Sequence, residues 1–185
     1  MSLSLKQQRT KNEIVNAMIG LLNNQPLDQI SISDICKAAL IHHSTFYNYF
    51  HDKYHLLGSV SNTVCAPIID SVNQGNSFMT AVVQALSSNK RVLRNITDNN
   101  KSNSIYFDLI NLMAGQLELA IQKENIFSPE DIVNKIRNSN NPTYNCYAFA
   151  GMIVGVFIRW NRDSESTSAE EFGKYFNQDL STFIN

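Results

Sequence analysis

Between Ser31 and Leu57 the chain reads SISDICKAALIHHSTFYNYFHDKYHLL, two short helical patterns split by a tight turn and followed by the start of a third helix. Ser31, with Asp34 three residues on, forms a variant of the capping box. The hydroxyl accepts a backbone N–H and the carboxylate meets the positive helix end, which predicts a helix from about Ile32. Ile35 and Ala39 fall one turn apart on its inner face, as do Phe46 and Phe50 on the next helix. Each helix therefore has one stripe to bury and one face left over. On the second helix that face holds His43, Ser44, Thr45, Tyr47 and Asn48, hydrogen-bonding groups small or flat enough to enter a nucleic-acid groove. This is the pattern of a helix-turn-helix DNA reader.

The remaining periodicity is helical throughout, so the expected fold class is all-α. A first helix is predicted over about Lys6–Asn24, with Ile14, Met18 and Leu22 on one stripe and Val15 and Ile19 beside it; Asn23-Asn24-Gln25-Pro26 stops it. A fourth runs from about Lys53 to Asn73 with Leu56, Leu57, Val60 and Val64 inward and a kink at Pro67. Helices follow over about Phe78–Ser88, Lys90–Ile96 and Ile105–Asn125, with a loop at 98–103. Ser128-Pro129-Glu130-Asp131 reads as a helix start, continuing to about Arg137. A long apolar helix spans about Thr143–Asn161, and Ser168-Ala169-Glu170-Glu171 opens a last one with Phe172, Phe176, Leu180 and Phe183 on one face.

With 185 residues and 43% hydrophobic content the chain can bury a full core. Met1 to Thr10 is mostly polar and lacks the character of a signal peptide, so a cytoplasmic location is expected. The longest apolar run, Tyr147–Ile158, falls short of the roughly 20 residues a bilayer crossing needs, and no membrane association is expected. Cys36, Cys65 and Cys146 are odd in number and without CxxC spacing, which suits buried thiols in a reducing compartment. A net charge of −1 excludes a generic nucleic-acid coat protein but not a helix-turn-helix, in which only the docking face must be positive. Lys6, Arg9, Lys11, Lys37 and Lys53 are the available cations in that region.

The combination ISISDIC, STFYNYF and DKYHLL at this spacing resembles the DNA-binding domain of the TetR/AcrR family of bacterial transcriptional regulators, over residues 7–57. The resemblance implies a DNA-binding domain over 1–55 and a helical regulatory and dimerisation domain over 56–185. Carried over by position, it implies DNA contacts from His42, His43, Ser44 and Thr45 at the groove, Tyr47 and Tyr49 near the backbone, Lys53 at a phosphate, and Ser31 and Ser33 on the flanking helix. Where such sequences have Gly, Ser and Arg around the turn, this one has Leu40, His42 and His43. A leucine in a left-handed turn costs roughly 1 kcal/mol, and histidine for arginine gives up a permanent charge and a bidentate guanine donor. For Tyr49 a half-buried core position is the competing reading.

The segment AGMIVGVFIRW, a polar loop and an amphipathic helix are similar to the C-terminal domain of one branch of that family, the dihydroxyacetone kinase regulators. That likeness implies a homodimer built through Gly151 and Gly155, which share one helix face, together with Phe172 and Phe176. A glycine-notched core helix is the competing reading. The Met and aromatic set Phe78, Met79, Tyr106, Phe107, Met113, Tyr144, Tyr147 and Phe149 suits either plain core or an inducer pocket, so ligand-binding residues stay unassigned.

His51 and His55 have zinc-ligand spacing, but no cysteine or paired carboxylate joins them, and neither metal nor cofactor is expected. There is no GxSxG elbow, phosphate loop or metalloprotease helix, so an enzyme is not expected. The function expected is a ligand-responsive repressor that binds an inverted-repeat DNA operator as a dimer and answers to a small-molecule inducer. The alternative is a co-regulator that binds another protein and has lost strong DNA binding.

Overall fold

A computed structural model describes residues 4–97, 104–122, 131–162 and 168–175. All its regular elements are helices: α1 (Leu5–Leu22), a 3-10 turn (Leu27–Gln29), α2 (Ile32–Ala38), α3 (His43–Tyr47), α4 (Lys53–Asn73), α5 (Phe78–Ser88), α6 (Lys90–Thr97), α7 (Ser104–Ile121), α8 (Ile132–Arg137), α9 (Pro142–Arg162) and α10 (Ala169–Lys174). They divide into two compact units, one from the described parts of Met1–Thr63 and Arg91–Asn103, the other from those of Val64–Lys90 and Ser104–Asn185. Helix α4 begins in the first and ends in the second, continuing through Pro67.

In the first unit, α1 opens on a capping box between Ser4 and Gln7 and buries Ile14, Val15, Met18 and Leu22. Its last carbonyls are covered by side chains that follow in sequence, Asn23 on Ile19 at 3.1 Å and Asn24 on Gly20 at 2.8 Å. Asn95 of α6 donates to the Leu22 carbonyl at 2.8 Å, tying in a segment distant in sequence. Leu27, Ile30, Ile35, Cys36, Phe46, Phe50, Leu56, Leu57 and Val60 are buried in the same unit, where α2 packs on α1. Cys36 takes the inner position expected of Ala39, which is half-buried as the C-cap of α2.

In the second unit, α7 and α9 form the main packed pair, with Met113, Ala114, Leu117 and Ala120 buried on one and Cys146, Phe149, Ala150, Ile153, Val154 and Phe157 on the other. Pro142 occupies the first position of α9, where its missing N–H costs nothing. Helix α8 is capped by Asp131, whose carboxylate accepts from Val133 at 2.9 Å and from Phe78 of α5 at 3.4 Å. Ser128 and Pro129, expected to open that helix, lie outside the described residues, as do the loop 98–103 and Phe176, Leu180 and Phe183. At the other end of α8, Arg137 donates to the carbonyls of Ile121 at 2.7 Å and Ala120 at 3.5 Å, which end α7. Trp160 stacks on Phe172 of α10 with ring centroids 4.1 Å apart, and the Lys90 ammonium lies 3.8 Å over the indole.

All three cysteines are buried free thiols. Burial pushes the Cys65 thiol up to about 12; burial, with Glu118 adding to it, pushes Cys146 up to about 11. Thiols this far from ionisation serve as packing groups.

Candidate nucleic-acid interface

The capping box at α2 forms with both arms. The Ser31 hydroxyl donates to the Asp34 carboxylate at 2.5 Å and accepts from the Asp34 N–H at 3.1 Å, while the Ser31 N–H donates to the same carboxylate at 2.9 Å. These bonds hold the Asp34 carboxyl below its ordinary range. Ser31 is thus committed to starting the helix.

Helix α2 ends in a Schellman motif. The Leu40 N–H reaches the Lys37 carbonyl at 3.3 Å and the Ile41 N–H reaches Cys36 at 3.0 Å. The motif requires a left-handed residue after the cap, and Leu40 supplies it with φ 54°, a conformation that favours glycine. Its side chain is 92% exposed, so no packing offsets the strain.

Helix α3 is a single stretch of five residues, His43 to Tyr47, following His42 as N-cap. Phe46 is its buried anchor. Phe50, expected on the same helix, lies beyond its end, yet is buried with its ring 5.9 Å from Phe46. Asn48 has become the C-cap, so one turn of helix and one of loop do the work of a longer helix. With Phe46 inward, His42, His43, Ser44, Tyr47 and Asn48 are exposed, and Thr45 and Tyr49 are half-buried. Tyr47 is 53% exposed and meets Phe46 edge to face at 5.6 Å, which fixes the direction of its hydroxyl end.

Ser33 and His43, from consecutive helices, come together: the hydroxyl and Nε2 are 3.3 Å apart. Nothing in their ten-residue separation signals this pairing. Lys53 departs from expectation. Expected at a phosphate, its ammonium donates inward to the carbonyls of Ile30 at 2.7 Å, Leu27 at 2.8 Å and Asp28 at 3.4 Å. The three carbonyls match its three donors, so Lys53 here brackets the 3-10 turn to the first turn of α4. Lys6, Arg9 and Lys37 are exposed cations of this unit, with Arg9 paired to Glu13 at 3.2 Å, while the Lys11 ammonium sits 5.8 Å from the Phe50 ring.

His51 and His55 stack with centroids 5.1 Å apart, and the His51 N–H donates to His55 Nδ1 at 3.3 Å. Among the described residues no three His, Cys, Asp or Glu side chains are placed to hold a metal ion.

In the second unit, a Cβ built on Gly151 or Gly155 of α9 would meet nothing within 4 Å, so both glycines face open space on this chain. Phe172, expected with them at a subunit interface, is instead 2% exposed. Its ring is covered by Trp160 of its own chain, because a short helix with one apolar face packs on the nearest aromatic surface. Phe176 is outside the described residues. The aromatic set splits: Phe78, Met113 and Phe149 are core, whereas Phe107, Tyr144 and Tyr147 are exposed. No described helix is long and apolar enough to cross a membrane.

No family model matches the chain, and no curated protein matches it. Solved structures do. A dihydroxyacetone kinase operon activator, DhaS, is 21% identical at TM-score 0.55, covering 95% of this chain and 93% of its own. A TetR transcriptional regulator from Streptococcus agalactiae is 16% identical at TM-score 0.59, covering 97% and 96%. NalD of Pseudomonas aeruginosa, the secondary repressor of a multidrug efflux pump, is 15% identical at TM-score 0.58, covering 95% of each chain. The chain has the fold these regulators share.

Proposed function

We propose that this chain, with the fold of TetR-family regulators, is itself a DNA-binding transcriptional regulator that acts as a homodimer on an inverted-repeat operator. The observation that carries the reading is the division of α3 and its flanks: Phe46 and Phe50 buried, and His43, Ser44, Tyr47 and Asn48 presented outward as one hydrogen-bonding surface. Histidine, serine, threonine and asparagine reach base edges; tyrosine reaches phosphate oxygens. Two such helices must stand about 34 to 36 Å apart to enter successive major grooves, which requires a second copy.

The outward stripe of α9 supports that second copy. Tyr144, Tyr147, Gly151 and Gly155 leave a notched apolar surface on which another helix can approach closely. A ligand bound to the second unit would act by preferring one spacing of the dimer over another. The same fold serves both signs of regulation, one neighbour being named an activator and another a repressor.

A second reading, a co-regulator that binds another protein, draws on Leu40. An exposed leucine in a strained turn beside the recognition helix favours an apolar partner over a phosphate backbone. The two readings separate on substitution. His43→Ala with Thr45→Val should cost about 1–3 kcal/mol of operator discrimination per lost base contact while leaving the salt slope unchanged, measured by fluorescence anisotropy. Unaltered discrimination would move the recognition surface elsewhere.

A further inference from the structure

A cavity of about 330 Å³ opens between the second half of α4 and α5, wholly within the second unit. It is an open groove, since Asp70, Gln74, Asn76, Gln84 and Ser88 along it are exposed. Its origin lies in side-chain size. Ala81 and Ala85 of α5 are buried there with only methyl groups to offer, and α4 contributes the ring of Pro67, so nothing large fills the space. That floor is apolar. The walls are not: Asp70, Ser71 and Gln74 stand on one side, Gln84 and Ser88 on the other, with no aromatic or basic side chain among them.

Two further wall residues are held in place. The Asn76 amide nitrogen donates to the Ser71 hydroxyl at 3.1 Å and carbonyl at 3.3 Å, and that of Asn89 donates to the Ala85 carbonyl at 2.9 Å. The Asn76 amide spends its donors on Ser71 and the Asn89 amide spends one of its two on Ala85, and each side chain also carries an acceptor oxygen. Together with the Asp70 carboxylate this makes the lining rich in acceptors, with amide and hydroxyl groups on both sides able to donate as well. An ammonium ion would satisfy Asp70 and leave the remaining wall unused. An anion would meet the one charge present as a repulsion. A compound with several hydroxyls along a short carbon chain fits both walls, and its C–H face fits the alanine and proline floor.

We propose that the α4–α5 cavity binds a small uncharged polyhydroxyl compound, a short polyol or monosaccharide, bridging Asp70 and Gln74 to Gln84 and Ser88. The proposal names a ligand class for the regulator reading but does not depend on DNA binding. Bridging would fix the second half of α4 against α5, and α4 is the helix that begins in the first unit.

Isothermal titration of the full chain with glycerol, sorbitol and glucose, with propylamine and acetate as controls, tests it. Saturable binding of at least one polyhydroxyl probe is expected, and neither control should bind. Asp70→Asn and Gln84→Ala, both at exposed positions, should each weaken binding by up to about tenfold with the circular dichroism spectrum unchanged. No saturable polyol binding, binding indifferent to both substitutions, or preference for propylamine would overturn the proposal. Repeating the titration on operator-bearing DNA separates the two claims: a chain that binds polyol but no DNA overturns only the regulator reading, and the reverse overturns only this one.

Discussion

The two units cap their helices alike, the second with Asp131 on Val133 and Ser168 with Glu171, and differ in what they leave unpaired. In the first, caps and brackets are explicit: Ser4 with Gln7, Ser31 with Asp34, Lys53 on three carbonyls, Asn95 on Leu22. Its one visible cost is the left-handed Leu40. In the second, Asn161 is 2% exposed near the end of α9, and both its amide atoms lack a hydrogen-bond partner among the described residues, as does the buried Ser87 hydroxyl. Such groups are uncommon in native interiors. The contrast teaches where each unit has latitude. Local bonds over-determine the first unit around α2 and α3, whereas the second keeps a destabilising group in its core.

The largest expected effect probes the anchor of the first unit. Phe46→Ala should cost about 3–5 kcal/mol, since it empties a fully buried ring site that also orients Tyr47. Chemical denaturation followed by circular dichroism measures this, and a loss below about 1 kcal/mol would mean that the site collapses and the anchor is dispensable. Next is Lys53→Met, which keeps the stem and removes the ammonium. A loss of about 1.5–3 kcal/mol is expected, the range for hydrogen bonds to charged groups. If stability holds and only DNA affinity drops, Lys53 is a phosphate contact and not a bracket.

In the second unit the sign reverses. Asn161→Leu should stabilise the chain by about 1–2 kcal/mol, because it replaces an unsatisfied buried amide with an apolar side chain of the same branching, the gain being net of the extra methyl volume. A fall in melting temperature would show that the amide has a partner in the working assembly. The smallest effect returns to the turn. Leu40→Gly should gain up to about 1 kcal/mol, the relief of the left-handed strain less the added entropy of glycine in the unfolded chain. If it instead destabilises, the exposed leucine is packed against something in solution.

The helix-turn-helix was legible because its determinants are local. Ser31 and Asp34 lie three residues apart and Phe46 and Phe50 four, while the strain at Leu40 follows from the resemblance, in which glycine stands at that turn. The start of α2 and the span of α5, Phe78–Ser88, follow from the same short-range signals. What escaped is long-range or ambiguous by nature. The Lys53 bracket joins residues 23 to 26 apart, with no pattern between them. The face of α10 that carries Phe172 reads the same whether Trp160 of its own chain or a second copy covers it, and only the folded chain distinguishes the two. The α4–α5 cavity comes from two alanines on one helix facing a proline on another, a coincidence of small side chains that periodicity cannot register.

The most direct test of the central claim is a fluorescence anisotropy titration of the full chain against a duplex from its own upstream region and a scrambled duplex, at two salt concentrations. Selective, dimeric binding to the first duplex, weakening steeply with salt as phosphate contacts require, is expected. Equal weak binding to both duplexes would contradict it and leave the outward face of α3 without its DNA.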